Sequence, residues 1–163
     1  MSSIRRIALT TAAAATLAAG LASPASAFPS GNYVATLTSA DLVVKVFGIT
    51  VATCTDSTLS GTFSGGGYSV TSATISGCGV AVTPSNTPWT GTTPAAPTKA
   101  TLSNFQVSTS SPACTYGGPG AALEGLVVDS DTISFNDSVS KTGGGLSCPG
   151  SVQVIASYDY APA

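Results

Sequence analysis

The sequence predicts an all-β fold, an antiparallel β-sandwich or partly closed barrel of about 8–10 short strands held by two disulfides. Three observations predict it. Past residue 27, apolar residues alternate with a period of two, and no segment carries a helical period. Glycine and proline clusters punctuate these runs as turns. Four cysteines stand in a chain whose opening residues read as an export signal.

The signal comes first along the chain. Residues 1–6 carry Arg5 and Arg6, residues 7–21 are uncharged, and Ala25-Ser26-Ala27 is a small-residue cleavage site. Those are the three parts of a secretory signal peptide. A membrane anchor needs roughly 20 predominantly apolar residues, a length interrupted here by Thr10, Thr11, Thr16 and the break at residues 20–24. The residues around the arginine pair match a twin-arginine signal poorly, so the general secretory route is expected. The expected mature protein is 28–163, one β domain, since no shift in composition divides it.

Strands follow in order. Residues 33–38 form the first. Residues 42–53 are more continuously apolar and β-branched, which places them centrally, with Gly48 a candidate bulge. Strands at 59–63 and 68–76 flank Gly65-Gly66-Gly67. Residues 84–97 hold four prolines and read as a long surface crossing. Phe105 and Val107 mark a strand within 98–108, and 112–119 is irregular around Cys114. After a strand at 123–128, Ile133, Phe135 and Val139 share one face, with Asp137 the exception. Gly143-Gly144-Gly145 turns the chain into the last strand, where Val152, Val154, Ala156, Tyr158 and Tyr160 point one way.

Cys54, Cys78, Cys114 and Cys148 read as disulfides in an exported chain. No C-x-x-C pair and no histidine supports a zinc site, so no metal is expected. Four cysteines allow three connectivities. Cys54–Cys78 and Cys114–Cys148 are preferred because each joins the ends of a local strand-turn-strand segment.

Charge excludes several partners. Residues 28–163 carry three lysines against seven carboxylates, a net charge of −4. Nucleic-acid binding needs cations to neutralise phosphates, and anionic membrane surfaces need them too. Charged residues make up 7% of the chain, against about 25% in typical soluble proteins. Solubility then rests on serine, threonine and backbone, as in many secreted adhesive and wall-associated proteins.

Catalysis is narrowed as sharply. Without histidine there is no Ser-His-Asp or Cys-His arrangement, and no enzyme activity or cofactor is expected. Serine-lysine chemistry stays formally open through Lys45, Lys99 or Lys141, each in an ordinary solvated context. Asp129 and Asp131, two apart on a strand, would sit at roughly 7 Å, the separation of an inverting glycosidase pair. The favoured reading is a polar turn between strands 123–128 and 132–139. With Asn136 or Asp137 the same cluster offers oxygen ligands to Ca²⁺, but no EF-hand pattern accompanies it. Trp89, Tyr158 and Tyr160, with the other tyrosines, are candidates for a sugar-stacking face, against the usual fate of a lone tryptophan as a core residue.

One arrangement is familiar. The runs 54–63 (CTDSTLSGTF) and 73–78 (ATISGC), then Pro88-Trp89, then single cysteines at 114 and 148, resemble small secreted actinobacterial four-cysteine β-proteins of unknown function. Their order of cysteines is distantly similar to that of secreted alkane-oxidation activator proteins. The resemblance implies an extracellular β-protein at the cell surface or a hydrocarbon interface, and it supplies no catalytic residues. The expected function is a secreted, non-enzymatic protein with a cell-surface, matrix or accessory-binding role. The alternative is a carbohydrate-binding module using Trp89 and the tyrosines.

Overall fold

A computed structural model describes residues 28–38, 40–92 and 99–163. The expected signal and residues 93–98, which include two of the four prolines in 84–97, lie outside the described residues. The described residues form thirteen strands. In order they are β1 (Gly31–Leu37), β2 (Leu42–Val46), β3 (Ile49–Cys54), β4 (Asp56–Ser64), β5 (Gly67–Ser76), β6 (Val82–Ser85) and β7 (Trp89–Thr92). Then come β8 (Lys99–Ser103), β9 (Gln106–Ser110), β10 (Ala113–Gly117), β11 (Ala122–Val127), β12 (Thr132–Gly144) and β13 (Ser151–Pro162).

Neighbours run β3-β2-β13-β1-β4-β5-β7-β8-β11-β12-β10-β9-β6, and β13 also pairs with β12. That extra pairing closes the eight strands from β13 round to β12 into a barrel. All pairings are antiparallel, as expected of strands joined by short turns.

β12 and β13 serve two structures at once. They contain 13 and 12 residues, a span of about 40 Å at ~3.3 Å per residue. Their outer halves belong to the barrel, where Ile133–Phe135 of β12 meet β11 and residues 158–162 of β13 meet β1. Their other halves leave it. There residues 153–155 of β13 pair with β2, and residues 141–144 of β12 pair with β10. β2 and β3 on one flank, and β10, β9 and β6 on the other, thus make a second, open sheet around the same two strands.

Asp137 marks the fork. β11 stops pairing with β12 at Phe135 and β10 starts at Lys141, so the backbone N–H of Glu124 has no ladder partner there. It donates instead to Asp137 Oδ2 at 2.8 Å. The one polar residue on an otherwise apolar face therefore completes the hydrogen bonding where the two sheets diverge.

Side chains fill the barrel. Val70 and Ile133 are buried, as are Trp89, Leu102, Leu123, Phe135 and Tyr158, and the cavity that these last five help to line measures only about 20 Å³, room for about one water. Two glycines make that filling possible. A Cβ on Gly91 would strike the Tyr68 ring and the Thr101 carbonyl, and one on Gly125 would lie 2.8 Å from the Phe135 ring. At the outer mouth Phe28 stacks on Phe63 at 4.7 Å and meets Tyr160 edge-on at 5.4 Å. At the inner end Trp89 packs on Phe105 at 4.8 Å and its Nε1 donates to Ser85 O at 2.8 Å. That pair is the floor between barrel and open sheet.

The expected faces of 132–139 and 152–160 are observed. Four segments differ from expectation. Residues 42–53 are a hairpin, β2 and β3, because Phe47 and Gly48 both take positive φ (51° and 80°) and reverse the chain. Gly48 is therefore a turn residue, the bulge lies at Val44/Lys45, and β3 is an edge strand. Residues 98–108 break at Asn104 (φ 63°), where the chain crosses from barrel to open sheet. The proline-rich crossing contains β6 and β7, and the irregular stretch around Cys114 contains β10. Pro84 is tolerated because β6 is an edge.

Candidate functional site

The open sheet does not close, and its concave face is apolar. Cross-strand partners set that face: Ala52 opposite Val44, Val44 opposite Val154, and Val107 opposite Tyr116. Directly opposed residues in a ladder point the same way. Val44, Val46, Val82, Val107, Val152 and Val154 thus converge on a trough of about 300 Å³. Its other lining residues are small, apolar or hydroxylated, with Tyr116 the largest, and none is charged. The volume lies at the lower end of ordinary ligand pockets, about 300–1,000 Å³. Burial raises the Tyr116 phenol pKa, as an apolar wall should.

Both disulfides belong to this region. Cys54, at the end of β3, is bonded to Cys78 in the connection from β5 to β6. Cys114, in β10, is bonded to Cys148 in the loop from β12 to β13. The first ties one edge of the open sheet to the segment leading into the other edge. The second holds the loop that carries Ser147 and Pro149 against the end of the trough. The barrel closes through its ladders, whereas the trough is held in shape by covalent bonds.

Other residues singled out from sequence lie elsewhere. Trp89 is 1% exposed, and Tyr158 and Tyr160 are also buried. Tyr158 Oη shares a 2.8 Å hydrogen bond with Ser57 Oγ, the one buried polar side chain among the described residues. None of the three offers a ring face to solvent, so the expected sugar-stacking face has no surface on these residues. Their rings are consumed by the core.

Asp129 and Asp131 form the polar turn between β11 and β12. Asp129 Oδ1 accepts the N–H groups of Asp131 at 3.2 Å and Thr132 at 2.9 Å. Hydrogen bonds from Asp131 and Thr132 lower the Asp129 pKa, and the facing Asp129 carboxyl raises that of Asp131. Both are exposed at the outer end of the barrel, and neither lines the trough or the barrel cavities. Among the described residues no group of three or more His, Cys, Asp or Glu is placed to hold a metal ion. No helix among them is long and apolar enough to cross a membrane.

With that geometry in view, the chain matches over residues 1–161 the family described as alkane oxidation protein activator PraA/PraB-like. The chain belongs to this PraA/PraB-like family. No curated protein and no solved structure matches it. The family match covers both the barrel and the open sheet.

Sequence reading missed the trough itself. Its walls come from β2, β3, β6, β9, β10 and β13, spread over more than a hundred residues. The available signal was the position of the cysteines, each within or next to a strand that lines the trough: Cys54 ends β3, Cys78 precedes β6, Cys114 lies in β10 and Cys148 precedes β13.

Proposed function

We propose that this PraA/PraB-like protein is an exported, non-enzymatic accessory protein that receives a linear alkyl chain in the trough. The observation that carries the reading is the lining: an open concavity of about 300 Å³ without a charged side chain. That is the liquid volume of about ten waters at ~30 Å³ each, and it suits a short hydrocarbon chain better than a sugar. A sugar would need convergent polar groups and an exposed aromatic ring, and the trough supplies neither set. Each methylene moved from water into such a wall contributes about 0.8 kcal/mol. The family description, alkane oxidation protein activator, agrees with a hydrocarbon ligand. Two disulfides suit the oxidising space outside the cell, and the absence of histidine suits a binding rather than a catalytic role.

Displacement of an apolar fluorescent dye by decane tests this directly. The wild type should release dye as decane rises, at about one decane per chain, and Val82→Asp, which puts a charge in the wall on an edge strand, should not. Equal displacement from both proteins, or none from the wild type, would sink the reading.

A further inference from the structure

We infer that the free end of the trough is an oil-docking face, at which Phe47 and Leu146 enter the surface of a liquid alkane phase. The inference rests on the alkyl-chain reading of the trough and extends it from one bound chain to the bulk phase that supplies it.

Register places the relevant groups together. Lys45 of β2 lies opposite Gln153 of β13, so the β2–β3 turn at Phe47-Gly48 sits level with the start of β13. The β12–β13 loop carrying Leu146 leaves at that same end. Phe47 is 96% exposed and Leu146 fully so. Beside Phe47 the trough wall continues outward on the edge strand, because Ile49, also exposed, is the cross-strand partner of Val46 and shares its face. Of the other large exposed apolar residues, Val51 and Val80 line the trough, while Leu126 and Val128 lie at the opposite end beside the Asp129 turn.

The backbone at Phe47 points to selection for the side chain. A two-residue hairpin turn with positive φ at both positions is best served by Asn-Gly, and a bulky residue with positive φ is a rare conformation. Here Phe47 takes φ 51° ahead of Gly48 at 80°, while its ring meets solvent. Neither turn geometry nor core packing accounts for a phenylalanine there.

Charge runs along the same axis. None of the seven carboxylates stands on the β2–β3 turn, the β9–β10 turn or the β12–β13 loop, and Asp129 and Asp131 occupy the far end. Two of the three lysines flank the apolar tips. Lys45 is two residues from Phe47, and Lys141 Nζ donates to the loop carbonyls of Gly145 at 3.3 Å and Cys148 at 3.4 Å. Apolar tips with lysines behind them, able to keep their charged heads in water, suit an oil–water boundary. A protein partner of standard size needs about 800 Å² of surface on each side, which two separate tips flanking an open trough do not offer. A liquid conforms to both.

Adsorption of the purified protein to hexadecane droplets, measured by depletion from buffer, tests the face. Phe47→Asn combined with Leu146→Ser should weaken adsorption at least tenfold and leave dye displacement by decane unchanged. Phe47→Asn alone should melt no lower than wild type, since it installs Asn-Gly, so loss of fold does not confuse the result. Val82→Asp should lose decane displacement and keep adsorption. Wild-type adsorption by the double variant overturns the inference and leaves the trough reading intact. Tip-dependent adsorption without decane displacement by the wild type sinks the trough reading instead. Tighter, equally tip-dependent uptake by phosphatidylcholine vesicles would assign the tips to a lipid surface and overturn the commitment to oil.

Discussion

The barrel and the trough share β12 and β13 yet solve opposite problems. In the barrel, every strand finds two neighbours, aromatic rings fit over glycines, and the interior cavity is only about 20 Å³, the larger space of about 260 Å³ lying at the outer mouth around Phe28, Tyr33, Phe63 and Tyr160. In the open sheet, two edges stay unpaired, aliphatic side chains face a void of about 300 Å³, and the shape is held by two disulfides. A closed, filled barrel is a scaffold. A sheet kept from closing, and kept from collapsing, leaves an apolar face open. The cross-links lie where the ladder alone does not define the surface.

Breaking the bridges should separate the two regions most. Loops of 24 and 34 residues correspond to about 3–4 kcal/mol each in the chain-entropy account. Cys54→Ser with Cys78→Ser should lower the unfolding free energy by about that amount. In hydrogen exchange, β2, β3 and β6 should lose protection before the barrel strands do. Equal loss across barrel and trough would contradict the division.

Comparable in size is Trp89→Ala, on the floor between them. Removing a buried tryptophan costs about 3–5 kcal/mol. Chemical denaturation should show that loss, while decane displacement persists under conditions where the variant stays folded. Loss of binding by a folded variant would show that floor and trough are one unit.

Alkali should attack the barrel in particular. Desolvation pushes the Tyr158 phenol up to about 12 and raises Tyr68 and Tyr160 well above the ordinary value, both with neighbouring tyrosines contributing. A raised phenol pKa means that the folded state holds its proton longer. Stability from these groups is complete below about pH 10, the unfolded value. It falls as pH rises further, by about 1.4 kcal/mol per pH unit for each buried phenol. Thermal melts from pH 9 to 12 should show a plateau and then a steep fall, with the Tyr68, Tyr158 and Tyr160 phenolates forming only on unfolding. Phenolate from any of these three near pH 10 in the folded protein would contradict the packed barrel.

The smallest effect belongs to Asp129→Asn. The amide oxygen can still accept the N–H groups of Asp131 and Thr132, so the melting temperature should be essentially unchanged. Decane displacement should be unchanged. A large loss of either would give the turn a role that its exposure does not suggest.

What the sequence made legible was local. Alternation from Val152 to Tyr160 identified a buried face because one strand carries the whole pattern. The disulfide pairs followed from the same local logic. The hairpin at Phe47-Gly48 was hidden because phenylalanine is not a turn residue, and the glycine was read as a bulge. β6, β7 and β10 were hidden because prolines and glycines surround them, and proline on an edge strand violates no ladder. Trp89 is core, but its partner Phe105 is 16 residues away and on a separate element. The trough is harder still, since an unclosed sheet is a property of pairings between distant strands rather than of any one segment.

The central claim is that the open sheet, and not the barrel, receives an apolar chain. Amide and methyl chemical shifts of the protein titrated with decane measure it directly. Perturbations should gather at Val44, Val46, Val82, Val107, Val152 and Val154 and leave Leu102, Ile133 and Phe135 unmoved. Shifts centred on the barrel residues, or none at saturating decane, would contradict it.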